Sequence, residues 1–216
     1  MNIAILGGTG KEGSGLAMRW ALAGHAIIIG SRDAGRAHDK AVELRERTKK
    51  LTIVGHDNAE AAALGDTVVV ALPAAGLAST LPPAREACRG KVVISTVVPL
   101  TFGGPRLFTP PPAGSSAEEV QALLPEGKVV AAFHHIAAHE LAAAEHDIEC
   151  DLLMCGADVE AKAVVTELGT SMGLRVIDVG PLTNAGPLEA ITAVLATINR
   201  RYKLKNSGIK ITGLPS

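Results

Sequence analysis

The residues with the clearest chemical purpose stand near the amino terminus, where Gly8-Thr9-Gly10-Lys11-Glu12-Gly13 follows the apolar run Asn2–Leu6 and fits G-x-G-x-x-G. That spacing suits a dinucleotide. The first glycine permits a tight turn, the second lets backbone N–H groups approach a pyrophosphate, and the third lets the next helix pack closely on its strand. The helix N-terminus itself favours the anion. Thr9 and Lys11 can add side-chain contacts. A glycine-rich turn with no ligand would need the same residues, but strand, loop and helix in this order separate the fingerprint from chance.

The end of the next apolar run decides which dinucleotide. An NAD site usually places Asp or Glu there to accept from the ribose 2′-hydroxyl, and a carboxylate would repel a 2′-phosphate. This chain reads Gly30-Ser31-Arg32, with Arg36 one helical turn further on. A serine hydroxyl and two guanidinium groups make charge-assisted bonds to phosphate oxygens, so NADP is the expected cofactor. In the competing arrangement Arg32 and Arg36 are solvated residues opening a helix, and Asp33 takes the ribose.

A third group is His134, His135 and His139 with Glu140. His135 and His139 are spaced i, i+4 as helical metal ligands are, but no E-x-x-H partner completes a set, and no metal is expected. One histidine is expected to line a site. The Tyr-x-x-x-Lys proton donor of the short-chain dehydrogenases is excluded, because the sole tyrosine is Tyr202 and Asn206 stands four residues on. Too little chain remains for the long all-helical domain of the β-hydroxyacid and imine reductases. No residue is expected to act as a catalytic acid or base.

Positioning these groups requires βα units. Strands are expected at Asn2–Leu6, Ala26–Gly30, Leu51–Val54, Thr67–Leu72, Lys91–Thr96 and Lys128–Ala132, separated by helical patterns at Lys11–Ala23, Ala34–Lys49 and Ala74–Ala87. Six such strands make a Rossmann-type, doubly wound parallel sheet of the α/β class. Thr101–Ser116, with Pro110-Pro111-Pro112, reads as a long surface loop. Beyond Phe133 the expected elements are strands near Leu152–Cys155 and Leu174–Val179 and helices near Val159–Met172 and Pro187–Arg201. Residues 1–132 are thus read as the NADP-binding domain and 133–216 as a small C-terminal α/β domain.

Composition narrows the partners. Of 216 residues 47% are hydrophobic, yet there are only one Trp, one Tyr and three Phe, so Ala, Val, Leu and Ile must fill the core, as suits parallel strands under helices. A net charge of −1 without a sustained Lys/Arg run argues against nucleic acid and anionic membrane. Small molecules are the expected partners. Cys88, Cys150 and Cys155 lack paired spacings and read as buried free thiols. The first residues have no basic region ahead of an apolar one, and no apolar run approaches about 18 residues, so the expected compartment is the cytoplasm.

Further segments carry a resemblance. Gly7-Gly8-Thr9-Gly10, Gly15-Leu16-Ala17, Ala23-Gly24-His25, Gly30-Ser31-Arg32, Val97-Val98-Pro99, Ser116-Ala117-Glu118-Glu119, Phe133-His134, Gly180-Pro181-Leu182 with Asn184, and Ile198-Asn199-Arg200-Arg201-Tyr202 together resemble the coenzyme F420-dependent NADP oxidoreductases from end to end. The resemblance implies hydride transfer between NADP(H) and the deazaflavin coenzyme F420, directly from ring to ring, in a homodimer. It implies that Thr9, Gly10, Lys11, Glu12, Ser31, Arg32, Arg36, Leu72, Pro73 and Ala138 hold NADP. It also implies that Val98, Pro99, His134, Ile136 and Thr192 line the deazaflavin. Two positions depart from the pattern: Ala74, where relatives can carry a bulky aromatic, and Ser207, where an apolar residue would better cover the ring. A reductase of another small substrate and a non-enzymatic NADP-responsive regulator are the alternative readings.

Overall fold

A computed structural model describes residues 1–104 and 106–214. Pro105, inside the expected loop, lies outside the described residues, as do Pro215 and Ser216.

The N-terminal part alternates strand and helix: β1 Asn2–Leu6, α1 Lys11–Leu22, β2 Ala26–Ser31, α2 Ala34–Thr48, β3 Ile53–Asp57, α3 Asn58–Leu64 and β4 Thr67–Val70. After α4 (Leu77–Thr80) come β5 Val92–Ser95, α5 Ser116–Leu123 and β6 Lys128–Ala131, then α6 Ala138–Ala142, β7 Asp151–Gly156, α7 Val159–Thr170, β8 Arg175–Asp178 and α8 Ala185–Tyr202. The eight strands form one sheet in the order β3-β2-β1-β4-β5-β6-β7-β8. Strands β1 to β6 run parallel, β7 joins β6 antiparallel and β8 pairs parallel with β7. This is the expected Rossmann-type α/β architecture. Its direction of winding reverses between β1 and β4, where such sheets open a ligand crevice at the strands' carboxyl ends.

Side chains alternate between two faces, and helices cover both. Ile3, Ile5, Ile27, Ile29 and Ile53 join one buried cluster, while Ala4, Leu6, Ile28, Val68 and Val70 join the other. The strands therefore read as continuous apolar runs. Most boundaries shift by a residue or two, and three differences have a clear physical cause. The helix expected over Ala74–Ala87 is a chain of short 3₁₀ turns around α4, because Pro82 and Pro83 have no N–H to donate. β3 starts two residues later than expected and runs to Asp57, leaving Leu51 exposed. The proline-rich loop gives way to α5, started by Ser115, whose Oγ accepts from Glu118 N–H at 3.1 Å.

Arg19 connects the two parts of the chain. It is buried on α1 and donates to four main-chain oxygens, those of Glu140 (2.7 Å), Leu141 (3.3 Å), Ala143 (2.6 Å) and His146 (2.9 Å). Its neighbour Trp20 donates to Leu168 O at 3.1 Å and meets Phe133 edge-on at 5.2 Å. Arg19→Met keeps most of the stem and leaves those carbonyls without their donor, a loss of about 2 kcal/mol. Thermal denaturation should register it as a midpoint lowered by about 4–8 °C, and an unchanged midpoint would refute this role.

Candidate functional site

Two clefts open at the carboxyl end of the sheet, and their linings adjoin along the chain at the start of α1, with Gly10 in one and Lys11 in the other. One, of about 470 Å³, is lined by Thr9, Gly10, Ser31, Arg32, Arg36, Asn58, Leu72 and Pro73. The other, of about 770 Å³, is lined by Lys11, Glu12, Leu100, Phe102, His134, Ile136, Ala138, Thr192 and Leu195.

The glycine loop separates packing from binding. A Cβ on Gly13 would stand 2.8 Å from Gly8 Cα, so this glycine is what lets α1 lie against the loop. A Cβ on Gly10 would meet nothing closer than Gly7 O at 3.4 Å, an ordinary contact, and φ −74° there suits any residue. The fold does not demand glycine at position 10. Helices α2, α3, α5 and α7 are capped by the side chains of Asp33, Asp57, Ser115 and Asp158, whereas α1 begins at Gly10 with no side-chain cap. Its first N–H groups are thus free for an anion.

At the far end of this cleft Ser31 is buried, its Oγ accepting from Asp33 N–H at 3.3 Å, so the hydroxyl hydrogen is still available. Arg32 and Arg36 are exposed beside it. Asp33 Oδ1 caps α2 by accepting from Arg36 N–H at 3.2 Å. That engagement weakens the competing arrangement in which Asp33 serves a ribose. Asn58 was not singled out by the sequence reading; its Oδ1 accepts from Gly7 N–H at 3.2 Å and steadies the loop from below. Its only signal was its place just after a strand end.

The second cleft is organised by an unusual backbone. Phe133, fully buried, has φ +67°, a conformation that costs a bulky residue about 1–3 kcal/mol. Wedged against Trp20, it turns the chain at the end of β6 so that His134 and Ile136 face the cleft. His134 is buried, and burial, assisted by the adjacent His135, lowers its pKa to about 3 against a smaller opposing effect of the Ala132 and Leu188 backbone. It is a neutral imidazole throughout the physiological range. Thr192 on α8 donates to His134 O at 3.1 Å and fixes this segment from the other side.

His135 turns out to precede α6 and to serve β7: its Nε2 lies 3.0 Å from Asp151 O and 3.2 Å from Leu153 N, and the tautomer decides which bond forms. His139 sits on α6, so the pair never shares a helical face. The remaining expected residues divide differently from the sequence reading. Ala138 lies in the second cleft with Lys11 and Glu12. Val98 and Pro99 are half-buried and line neither cleft, while Leu100 and Phe102 just beyond them do. Ser207 lines the second cleft and donates to Leu195 O at 3.1 Å, so its polar atom has a partner. Ala74 is partly buried beside Leu72.

Comparison with known proteins follows the same lines. Residues 2–99 match the family described as NADP oxidoreductase, coenzyme F420-dependent. The chain is 42% identical to the F420-dependent NADP reductase of Methanocaldococcus jannaschii, covering 99% of each. It is 39% identical to that of Methanothermobacter marburgensis over the full length of both. Among solved structures, a protein described as an F420-dependent NADP reductase from Arthrobacter sp. FB24 superposes with a TM-score of 0.85 at 28% identity, covering 98% of this chain and 99% of that one.

Proposed function

The chain belongs to the family of coenzyme F420-dependent NADP oxidoreductases and passes hydride between NADP(H) and coenzyme F420, and we propose that its two clefts divide this work. The phosphates and adenosine of NADP lie in the first cleft, and its nicotinamide reaches the second. The free N–H groups of α1 receive the pyrophosphate at Gly8 to Gly13, and Ser31, Arg32 and Arg36 hold the 2′-phosphate, with Leu72 and Pro73 along the side. The deazaflavin occupies the second cleft against His134, Ile136 and Thr192, with Ala138 at the boundary. The observation that carries this reading is that the two linings adjoin at Gly10 and Lys11. A groove with a basic end and a larger, mainly apolar cleft meet at one helical turn, which is where two rings must stack.

NADP and the deazaflavin supply the hydride chemistry, and this chain supplies position and exclusion of water. His134 in the second cleft is neutral and buried, and the expectation that no catalytic acid or base is needed stands as part of the proposal. Residues 133–216 form the lobe that closes the deazaflavin side, although its strands continue the same sheet. The buried thiols of Cys88, Cys150 and Cys155 support a cytoplasmic location. No helix among the described residues is long and apolar enough to cross a membrane. Exposed Val194, Tyr202 and Leu204, on and just after α8, support a homodimer.

His134→Ala tests the second cleft. Losing one contact to the ring should raise the KM for the deazaflavin about five- to tenfold, with kcat changed much less and the KM for NADPH hardly moved. A drop in kcat of about a thousandfold would show instead that the imidazole moves a proton with the hydride.

A further inference from the structure

Glu12 is the one acidic group among the described residues lining the second cleft. It occupies the second turn position of α1, lines the cleft, and its Oε1 is buried without a hydrogen-bond partner. A buried polar atom left unpaired costs stability and persists where a ligand completes it. The titratable groups around it are Lys11 on the same turn, His134, His135 and His139 from the segment after β6, and Lys205 from the tail. Lys11, His139 and Lys205 are exposed, and no ion pair joins any of them to Glu12 among the described residues. His134 and His135 are buried and neutral, their pKa values lowered by burial. Burial likewise pushes the Glu12 carboxyl up to about 8, so near pH 7 it is mostly the uncharged acid.

A neutral carboxyl presents one O–H donor and one carbonyl acceptor side by side, the complement of a planar –CO–NH– edge. An ionised one presents two acceptors and a charge, which mismatches that edge and repels anionic ligands. Resting on the functional reading above, we propose that Glu12 is a specificity residue that pairs, as the neutral acid, with the amide or imide edge of a ring seated in the second cleft. Two rings offer such an edge: the nicotinamide through its carboxamide, and the deazaflavin through its pyrimidinedione. Ionisation of Glu12 then weakens binding of whichever ring it holds, so that ligand's affinity falls at alkaline pH.

The experiment is equilibrium binding of NADPH and, separately, of oxidised deazaflavin to wild type and to Glu12→Gln, each at pH 7 and pH 9.5. Glutamine keeps a donor and an acceptor at both pH values. The ligands' own ionisation is common to the two proteins and cancels in the comparison. Wild type should lose about thirtyfold in affinity for one ligand across this interval, and the variant should not. Loss confined to NADPH assigns the carboxamide; loss confined to the deazaflavin assigns its imide edge. Calorimetry of wild type at pH 8.5 in two buffers of different ionisation enthalpy gives a reading independent of the variant, an uptake of about 0.8 proton on binding that ligand. Equal pH dependence in both proteins, or no proton uptake, overturns the role of Glu12 while leaving the functional reading intact. Absence of deazaflavin binding to both proteins at pH 7 overturns the functional reading and this proposal together.

Discussion

Gly10→Val is expected to abolish measurable NADPH binding while the protein keeps its fold and its melting temperature. A Cβ at position 10 finds no protein atom nearer than Gly7 O at 3.4 Å, and the local φ of −74° is open to any residue. The protein therefore tolerates the side chain. The ligand does not, because the branched side chain stands where the free N–H groups of α1 must meet a pyrophosphate. Losing those bonds and adding a clash should cost well over about a hundredfold in affinity. Gly13→Val makes the contrast: its Cβ would sit 2.8 Å from Gly8 Cα, so that variant should lose stability and binding together. Calorimetric titration with NADPH beside a thermal melt separates the two outcomes. Normal affinity in Gly10→Val would remove the loop from the site.

Local chemistry made the first cleft readable in the sequence. The turn at Gly8–Gly13 and the Gly30-Ser31-Arg32 end of β2 are each contiguous, and a parallel sheet brings successive strand ends to one crevice. Element boundaries were less readable where pairing overrides propensity. Gly55-His56-Asp57 has little strand character, yet it is strand because Ile29–Ser31 lies beside it in register. The prolines that broke the helix expected after β4 were visible at Pro82-Pro83, but the 3₁₀ turns they leave were not. The second cleft was the hardest to read, because it is assembled from α1, the segments after β5 and β6, α8 and the tail. No local period tells that Leu195 and Lys205 face His134. Nor does the sequence reveal that Leu100 and Phe102 reach it. Glu12 sits inside the fingerprint, where the resemblance implies a contact with NADP; that its carboxyl is buried and unpaired is evident only once its surroundings are in place.

Arg32→Asp should convert the cofactor preference. The evidence for a 2′-phosphate site is the combination of a buried Ser31 with a free hydroxyl hydrogen and two guanidinium groups that have no carboxylate partner among the described residues. Asp33, the one acid among the described residues lining this cleft, is turned back to cap α2. Each charge-assisted bond to a phosphate oxygen is stronger than a neutral one, and an aspartate in its place both removes that bond and repels the dianion. NADPH affinity should fall about 30- to 150-fold. NADH carries only a 2′-hydroxyl, which a carboxylate can accept from, so its affinity should hold or rise slightly. The informative quantity is the ratio of the two dissociation constants, measured at low and at moderate salt, since the exposed arginine's share should shrink as ionic strength rises. Equal losses for NADPH and NADH would mean that Arg32 supports the fold of the cleft and does not touch the 2′ position.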